Sequence, residues 1–151
     1  MNSDELLDTL SQRIQAHIPL TREFDFTLCD FKSGALSLLA PLANHVNDKG
    51  TFFAGSQAAL FTLAGWALTT LEAEQHLSRV VDVVAVENQL KYTAPLKADI
   101  RICVVAQEDE LQRFYDRLTL KGRARLSVQA TAVGPDDQVI ATWQGQYLAR
   151  A

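Results

Sequence analysis

The loop Asn44-His45-Val46-Asn47-Asp48-Lys49-Gly50 places a cluster of polar groups directly ahead of Thr51-Phe52-Phe53-Ala54-Gly55-Ser56. From Phe52 to Leu71 no charged residue occurs, and a long helix is expected to begin within Thr51–Ala54. The first turn of a helix leaves backbone N–H groups without partners, and the helix dipole adds partial positive charge there. Ala54, Gly55 and Ser56 are small enough to let a ligand oxygen approach those N–H groups. Asn47 can add a side-chain amide donor without adding charge. Together these are the parts of an oxyanion hole, which stabilises negative charge as it develops on a carbonyl oxygen. Asn47 and Gly55 are therefore the candidate catalytic residues, and Asn44, His45, Gly50, Ala54 and Ser56, with Thr62 and Asn88 further along the chain, are the candidates to line the substrate. A plainer reading uses the same residues: Asn47 organises a turn and Gly50 supplies a left-handed position.

The uncharged run is as long as a membrane span, about 20 residues. Gly55, Ser56, Gln57, Thr62, Gly65, Thr69 and Thr70 dilute it, however, and nothing basic and juxtamembrane follows Glu72. A buried helix reaching about Gln75 is expected, with no membrane partner. Ahead of it, Ser3 followed by Asp4 and Glu5 predicts a helix N-cap. Leu6, Leu7, Leu10, Ile14 and Ile18 recur at helical spacing until Pro19. Phe24, Phe26 and Leu28 alternate as in a strand, Lys32-Ser33-Gly34 reads as a turn, and "ALSLLAPL" is a second strand, making a hairpin.

Four strand-like segments follow the long helix: 80–92, 99–107, 122–133 and 138–149, with "GPDD" as the turn between the last two. In the third of these, Gly122, Ala124, Leu126, Val128, Ala130 and Ala132 share one face, while Lys121, Arg123, Arg125, Ser127, Gln129 and Thr131 share the other. One dry and one wet face describe a sheet covered from one side, with the long helix as the cover. In the first segment, Asn88 falls on the parity of Val84, Val86, Leu90 and Tyr92, either lining a pocket or sitting as a satisfied core amide. Trp143 and Tyr147 read as core or subunit interface. The expected order is helix, two strands, one long buried helix and four strands, in a single α+β domain spanning 1–151.

At 151 residues with a net charge of -4, the chain can bury a sizeable core and gives no global reason to expect nucleic acid. Lys121, Arg123 and Arg125, near Arg113 and Arg117, could meet a phosphate or could form a plain solvated face. Cys29 and Cys103 lie far apart, with no CxxC pair and no His/Cys spacing, so no metal is expected and the thiols read as reduced. "MNSDELLDTL" lacks the basic and apolar regions of a secretory signal, so the cytoplasm is the expected compartment.

"PLANHVNDKGTFFAGSQAALFTLAGW", followed by "LKYTAPLKADI", resembles hotdog-fold thioesterase-like domains of the YiiD C-terminal type, a group that includes stand-alone bacterial malonyl-ACP decarboxylases. The likeness runs from about Phe24 to Leu148. It is most specific at Asn47-x-x-Gly50-Thr51-x-Phe53-Ala54-Gly55-Ser56, and the Tyr92-x-x-Pro95 step also matches. The resemblance implies a long central helix wrapped by an antiparallel sheet and two protomers per active unit. It also implies acyl thioesters of coenzyme A or acyl carrier protein as ligands, with no cofactor beyond the phosphopantetheine or coenzyme A of the substrate.

Hydrolytic relatives of this fold often carry an acid about two turns into the central helix. Here that place falls near Thr62, and no carboxylate occurs in the helix before Glu72. Dehydratases of the fold pair a His with such an acid; His45 is present without one, which makes it a loop residue rather than a catalyst. Missing acid–base groups suit the decarboxylation of a malonyl thioester, which needs donors on the thioester oxygen and no general base. Thioester hydrolysis and a non-catalytic acyl-binding module are the alternatives.

Overall fold

The computed structural model describes residues 1–151. Helix α1 spans Ser3–His17 and buries Leu7, Leu10 and Ile14. Its cap is Asn2, not Ser3: the Asn2 side chain accepts the Glu5 backbone N–H, so Ser3 already lies in the first turn. Pro19 ends the helix and opens a 3-10 turn, Pro19–Glu23. Strands β1 (Thr27–Lys32) and β2 (Ala35–Ala40) form the expected hairpin, with Gly34 at φ 80 in the turn. Phe24, Phe26 and Leu28 are all buried, as their spacing predicts, but pairing begins only at Thr27, after Asp25 at φ 51.

The long helix α2 spans Ala54–Leu77. Strands β3 (Asp82–Tyr92) and β4 (Ile100–Val105) follow, then helix α3 (Glu108–Lys121), then β5 (Arg123–Val133) and β6 (Val139–Arg150). All pairings are antiparallel, in the order β1-β2-β4-β5-β6-β3, so β1 and β3 are the edges. The long helix lies against this sheet in the hotdog arrangement. Gly65 shows how closely: a Cβ there would stand 2.5 Å from both the Trp143 ring and the Tyr147 hydroxyl. Both aromatics are core residues. No helix is long and apolar enough to cross a membrane.

Helix α3 departs from the expected order. Its Leu111, Phe114 and Leu118 are buried on one stripe of an otherwise polar segment. Gly122 is its left-handed C-cap at φ 71, not the first residue of a strand. Lys121 is thereby the last helical residue and leaves the wet face of β5. The remainder of β5 alternates as predicted, buried at Ala124, Leu126, Val128, Ala130 and Ala132.

In β3 the expected parity breaks. A register shift between Ala85 and Glu87 leaves Val86 bulged, so Ala85 pairs with the inward Tyr147 while Asn88 pairs with Gly145 and Leu90 with Trp143. Val84 pairs with Leu148 and faces outward. Asn88 is exposed rather than a core amide, and its Oδ1 accepts the Trp143 indole N–H at 2.8 Å.

Candidate active site

The polar loop closes on itself before α2 begins. Val46 and Phe52 form an isolated antiparallel bridge, the Asn47 N–H donates to Thr51 O at 2.8 Å, and the Phe53 N–H donates to His45 O at 2.7 Å. Gly50 makes the return at φ 75. Asn47 therefore stands beside Thr51, three residues short of the helix.

The Asn47 side chain organises this turn. Its Oδ1 accepts the N–H of Lys49 at 2.9 Å and of Thr51 at 3.0 Å, and its Nδ2 donates to Thr51 Oγ1 at 2.9 Å. An amide nitrogen carries two hydrogens, so one donor remains after the contact with Thr51. The turn-forming reading and the donor reading thus coexist in one residue.

His45 and Asn44 tie the loop to the preceding segment. The His45 ring is 4% exposed, places Nε2 2.8 Å from Phe24 O and stacks on Phe52 at 5.1 Å. Asn44 donates to Glu23 O at 3.1 Å. His45 therefore lines no open site in this structure.

Phe53 caps α2 without a side-chain hydrogen bond, and the Gln57 N–H is the first to bond back, to Phe53 O at 3.1 Å. The N–H groups of Ala54, Gly55 and Ser56 carry no backbone or side-chain acceptor. The exposed Phe53 ring lies against Gly55 and fills the space that a Cβ would need. Two further residues belong to this corner. Tyr92 donates its hydroxyl to Ala54 O at 2.7 Å, and burial pushes that phenol's pKa up, keeping it protonated. Gln57, 4% exposed, donates to Phe52 O at 3.2 Å and leaves Oε1 without a protein partner. The Tyr92-x-x-Pro95 motif was the available signal for Tyr92; an isolated Gln in an uncharged helix gave none.

No carboxylate converges on the helix start. Asp48 is 82% exposed at its side chain and pairs with Lys49 at 3.1 Å. Glu72 lies 17 residues beyond Gly55, about 25 Å along the axis. It is spent on the Gly34 N–H and the Tyr115 hydroxyl. Thr62 donates to Ala58 O at 2.8 Å, which engages its hydroxyl proton with the helix backbone. From Ala58, one turn into α2, an apolar cleft of about 380 Å³ runs along the helix face that carries Ala59, Thr62 and Trp66.

The basic residues lie elsewhere. Arg123 pairs with Arg150, which pairs with Asp82 at the start of β3. Tyr92, which touches the start of α2, is ten residues further along that strand, roughly 30 Å away. Within one protomer, Lys121, Arg123 and Arg125 are not brought to the helix start, and Arg125 instead bonds Gln146 at 3.1 Å.

A long helix lying on a six-stranded antiparallel sheet defines a hotdog domain. The chain belongs to the YiiD C-terminal family, described as "putative thioesterase", whose profile matches residues 7–151. Among solved structures it is similar to a Chlorobaculum tepidum protein of unknown function, at 29% identity and TM-score 0.87 over 97% of this chain and 95% of that one. A "putative thioesterase" from Shewanella oneidensis matches at 28% identity and TM-score 0.83, over 98% and 99%. A Pseudomonas aeruginosa "probable thioesterase" shares the fold at 20% identity and TM-score 0.74, covering 95% of each chain.

Proposed function

We propose that this protein decarboxylates a malonyl thioester, carried by acyl carrier protein or coenzyme A, to the acetyl thioester that primes fatty-acid synthesis. The observation that carries the reading is the helix start itself: three free N–H groups and a spare Asn47 donor, with no base among them. The thioester carbonyl sits on the Gly55 N–H and Asn47 Nδ2. Breaking the bond to the carboxylate sends its electron pair into the carbonyl, releasing carbon dioxide and forming an enolate whose oxygen takes the charge. A proton from solvent then completes the acetyl group. The apolar cleft that starts one turn further along α2 holds no cation, so a carboxylate directed into it would be disfavoured relative to neutral carbon dioxide.

Hydrolysis of an acyl thioester is the second reading, favoured by the description of the family. It requires an activated water, and neither Thr62 nor Asp48 is placed as a base. Two copies of the chain form the active unit in both readings. Purified protein incubated with malonyl and acyl thioesters separates them by mass spectrometry. Acetyl thioester and carbon dioxide are expected from the malonyl substrates; free thiol with no acetyl thioester overturns the decarboxylase reading.

A further inference from the structure

We propose that the Phe53 side chain gates the helix start: its ring sits on the approach to Gly55 and must swing away before a thioester carbonyl can bind there. The proposal rests on the reading of the helix start as a thioester site. The space opened by the missing Cβ of Gly55 is already taken. A Cβ built there would stand 2.5 Å from Phe53 Cε2, 2.9 Å from Cζ and 3.3 Å from Cδ2. One edge of the ring therefore lies directly against the glycine, in the room that the absent side chain would otherwise offer to a ligand.

The backbone beneath the ring is pinned. The Phe53 N–H donates to His45 O at 2.7 Å, and Phe53 O accepts the Gln57 N–H at 3.1 Å. One residue earlier, the Phe52 N–H donates to Leu96 O at 2.8 Å and Phe52 O accepts from Gln57 Nε2 at 3.2 Å. Moving the loop would break several of these bonds at once. The ring is held by far less. It is 52% exposed and, unlike the buried Phe52 ring that stacks on His45, it packs on no other aromatic. Rotation about its own side-chain bonds is the movement left to it, and exposed side chains make such moves rapidly.

Gly55 thereby serves twice: its N–H is the donor, and its missing Cβ is the seat of the ring. Lifting the ring returns apolar surface to water, so the covering position dominates until a ligand makes up the difference. The apparent affinity for that ligand is its intrinsic affinity reduced by the fraction of molecules whose ring is away. For a half-covered phenyl ring the reduction is a factor of about five in Kd.

Calorimetric titration of the intact protein with S-(2-oxopropyl)-coenzyme A tests the gate, because this thioether keeps a carbonyl close to the sulfur and cannot be hydrolysed. Phe53→Ala is expected to bind it about fivefold more tightly than the parent. Phe53→Tyr, which keeps the ring, should match the parent, and thermal unfolding checks that both variants are folded. The ring itself is followed by fluorine NMR of protein carrying 4-fluorophenylalanine, with position 53 assigned by the signal that Phe53→Leu removes. Saturating thioether should move that signal in the direction in which Gly55→Ala moves it, because the added methyl expels the ring. An equal or weaker Kd in folded Phe53→Ala, or a signal that stays put at saturation, overturns the proposal. The malonyl assay is read separately. Ring movement without decarboxylation sinks the decarboxylase reading alone, and decarboxylation with an unmoved ring sinks the gate alone. If neither parent nor variant binds the thioether, the thioester site falls and the gate falls with it.

Discussion

Asn47 organises its turn and is proposed to donate to the substrate as well, and substitution can separate the two. An aspartate at 47 keeps an oxygen to accept the N–H groups of Lys49 and Thr51, so the turn survives. It loses Nδ2, the donor, and adds an anion beside the developing enolate. Asn47→Asp should therefore stay within about 1 kcal/mol of the parent in stability, while turnover of a malonyl thioester falls by at least 10²–10³. Asn47→Ala removes the turn contacts as well, and should lose roughly 1–3 kcal/mol with a similar rate deficit. Steady-state rates and thermal midpoints decide the matter, and an active aspartate variant would sink the donor role. Thr62→Ala should keep most activity, because the hydroxyl is already bonded to Ala58 O; a folded variant slower by orders of magnitude would restore a hydrolytic role. The candidate donors were legible because residue type and distance from the helix start suffice to suggest them. The partners were not: whether His45 faces a ligand or Phe24 depends on a contact 21 residues away in sequence, which no local pattern encodes.

Elements were read well where one periodicity dominates. The alternation in β5 and the uncharged length of α2 each gave an element of the right type and near the right bounds. Helix α3 was missed because its apolar stripe is only Leu111, Phe114 and Leu118 among charged neighbours, so its signals were caps rather than composition. Those signals were present: acids at 108–110 opening the helix and Gly122 closing it. The β3 parity failed for another reason, since a single bulged residue reverses every later side chain and leaves no mark in the pattern. At this scale Gly65 is the most sensitive position. Its missing Cβ lets α2 reach Trp143 and Tyr147, two large rings of the packed core. Gly65→Ala should cost about 1–3 kcal/mol by overpacking, even though alanine is the better helix former. Denaturant unfolding would measure this, and an unchanged or higher midpoint would show that the helix can back away from the sheet.

The whole molecule has two sheet edges that differ in kind. The β1 edge is broken by a register shift between Cys29 and Lys32, with Asp30 at φ 55, features that discourage pairing. The β3 edge runs for 11 residues with Val84 and Val86 exposed. A second copy pairing there antiparallel would continue the sheet, so a homodimer at micromolar concentration is expected by analytical ultracentrifugation. Val84→Lys should shift it toward monomer, and a monomeric parent protein would contradict the pairing. The same two-fold arrangement has a consequence for the basic residues stranded at the far end of β5. Antiparallel pairing would set the Asp82 end of one copy against the Tyr92 end of the other. That puts Arg123 and Arg125 at the same end of the joined sheet as the other's helix start but on its outer face, where a carrier rather than the acyl group would meet them. Replacing both with glutamate should then raise KM for a carrier-linked thioester at least several-fold with kcat little changed, most visibly at low salt. A short thioester lacking phosphate should show no change. If KM for the carrier-linked substrate also stays put, these arginines are a solvated face and nothing more.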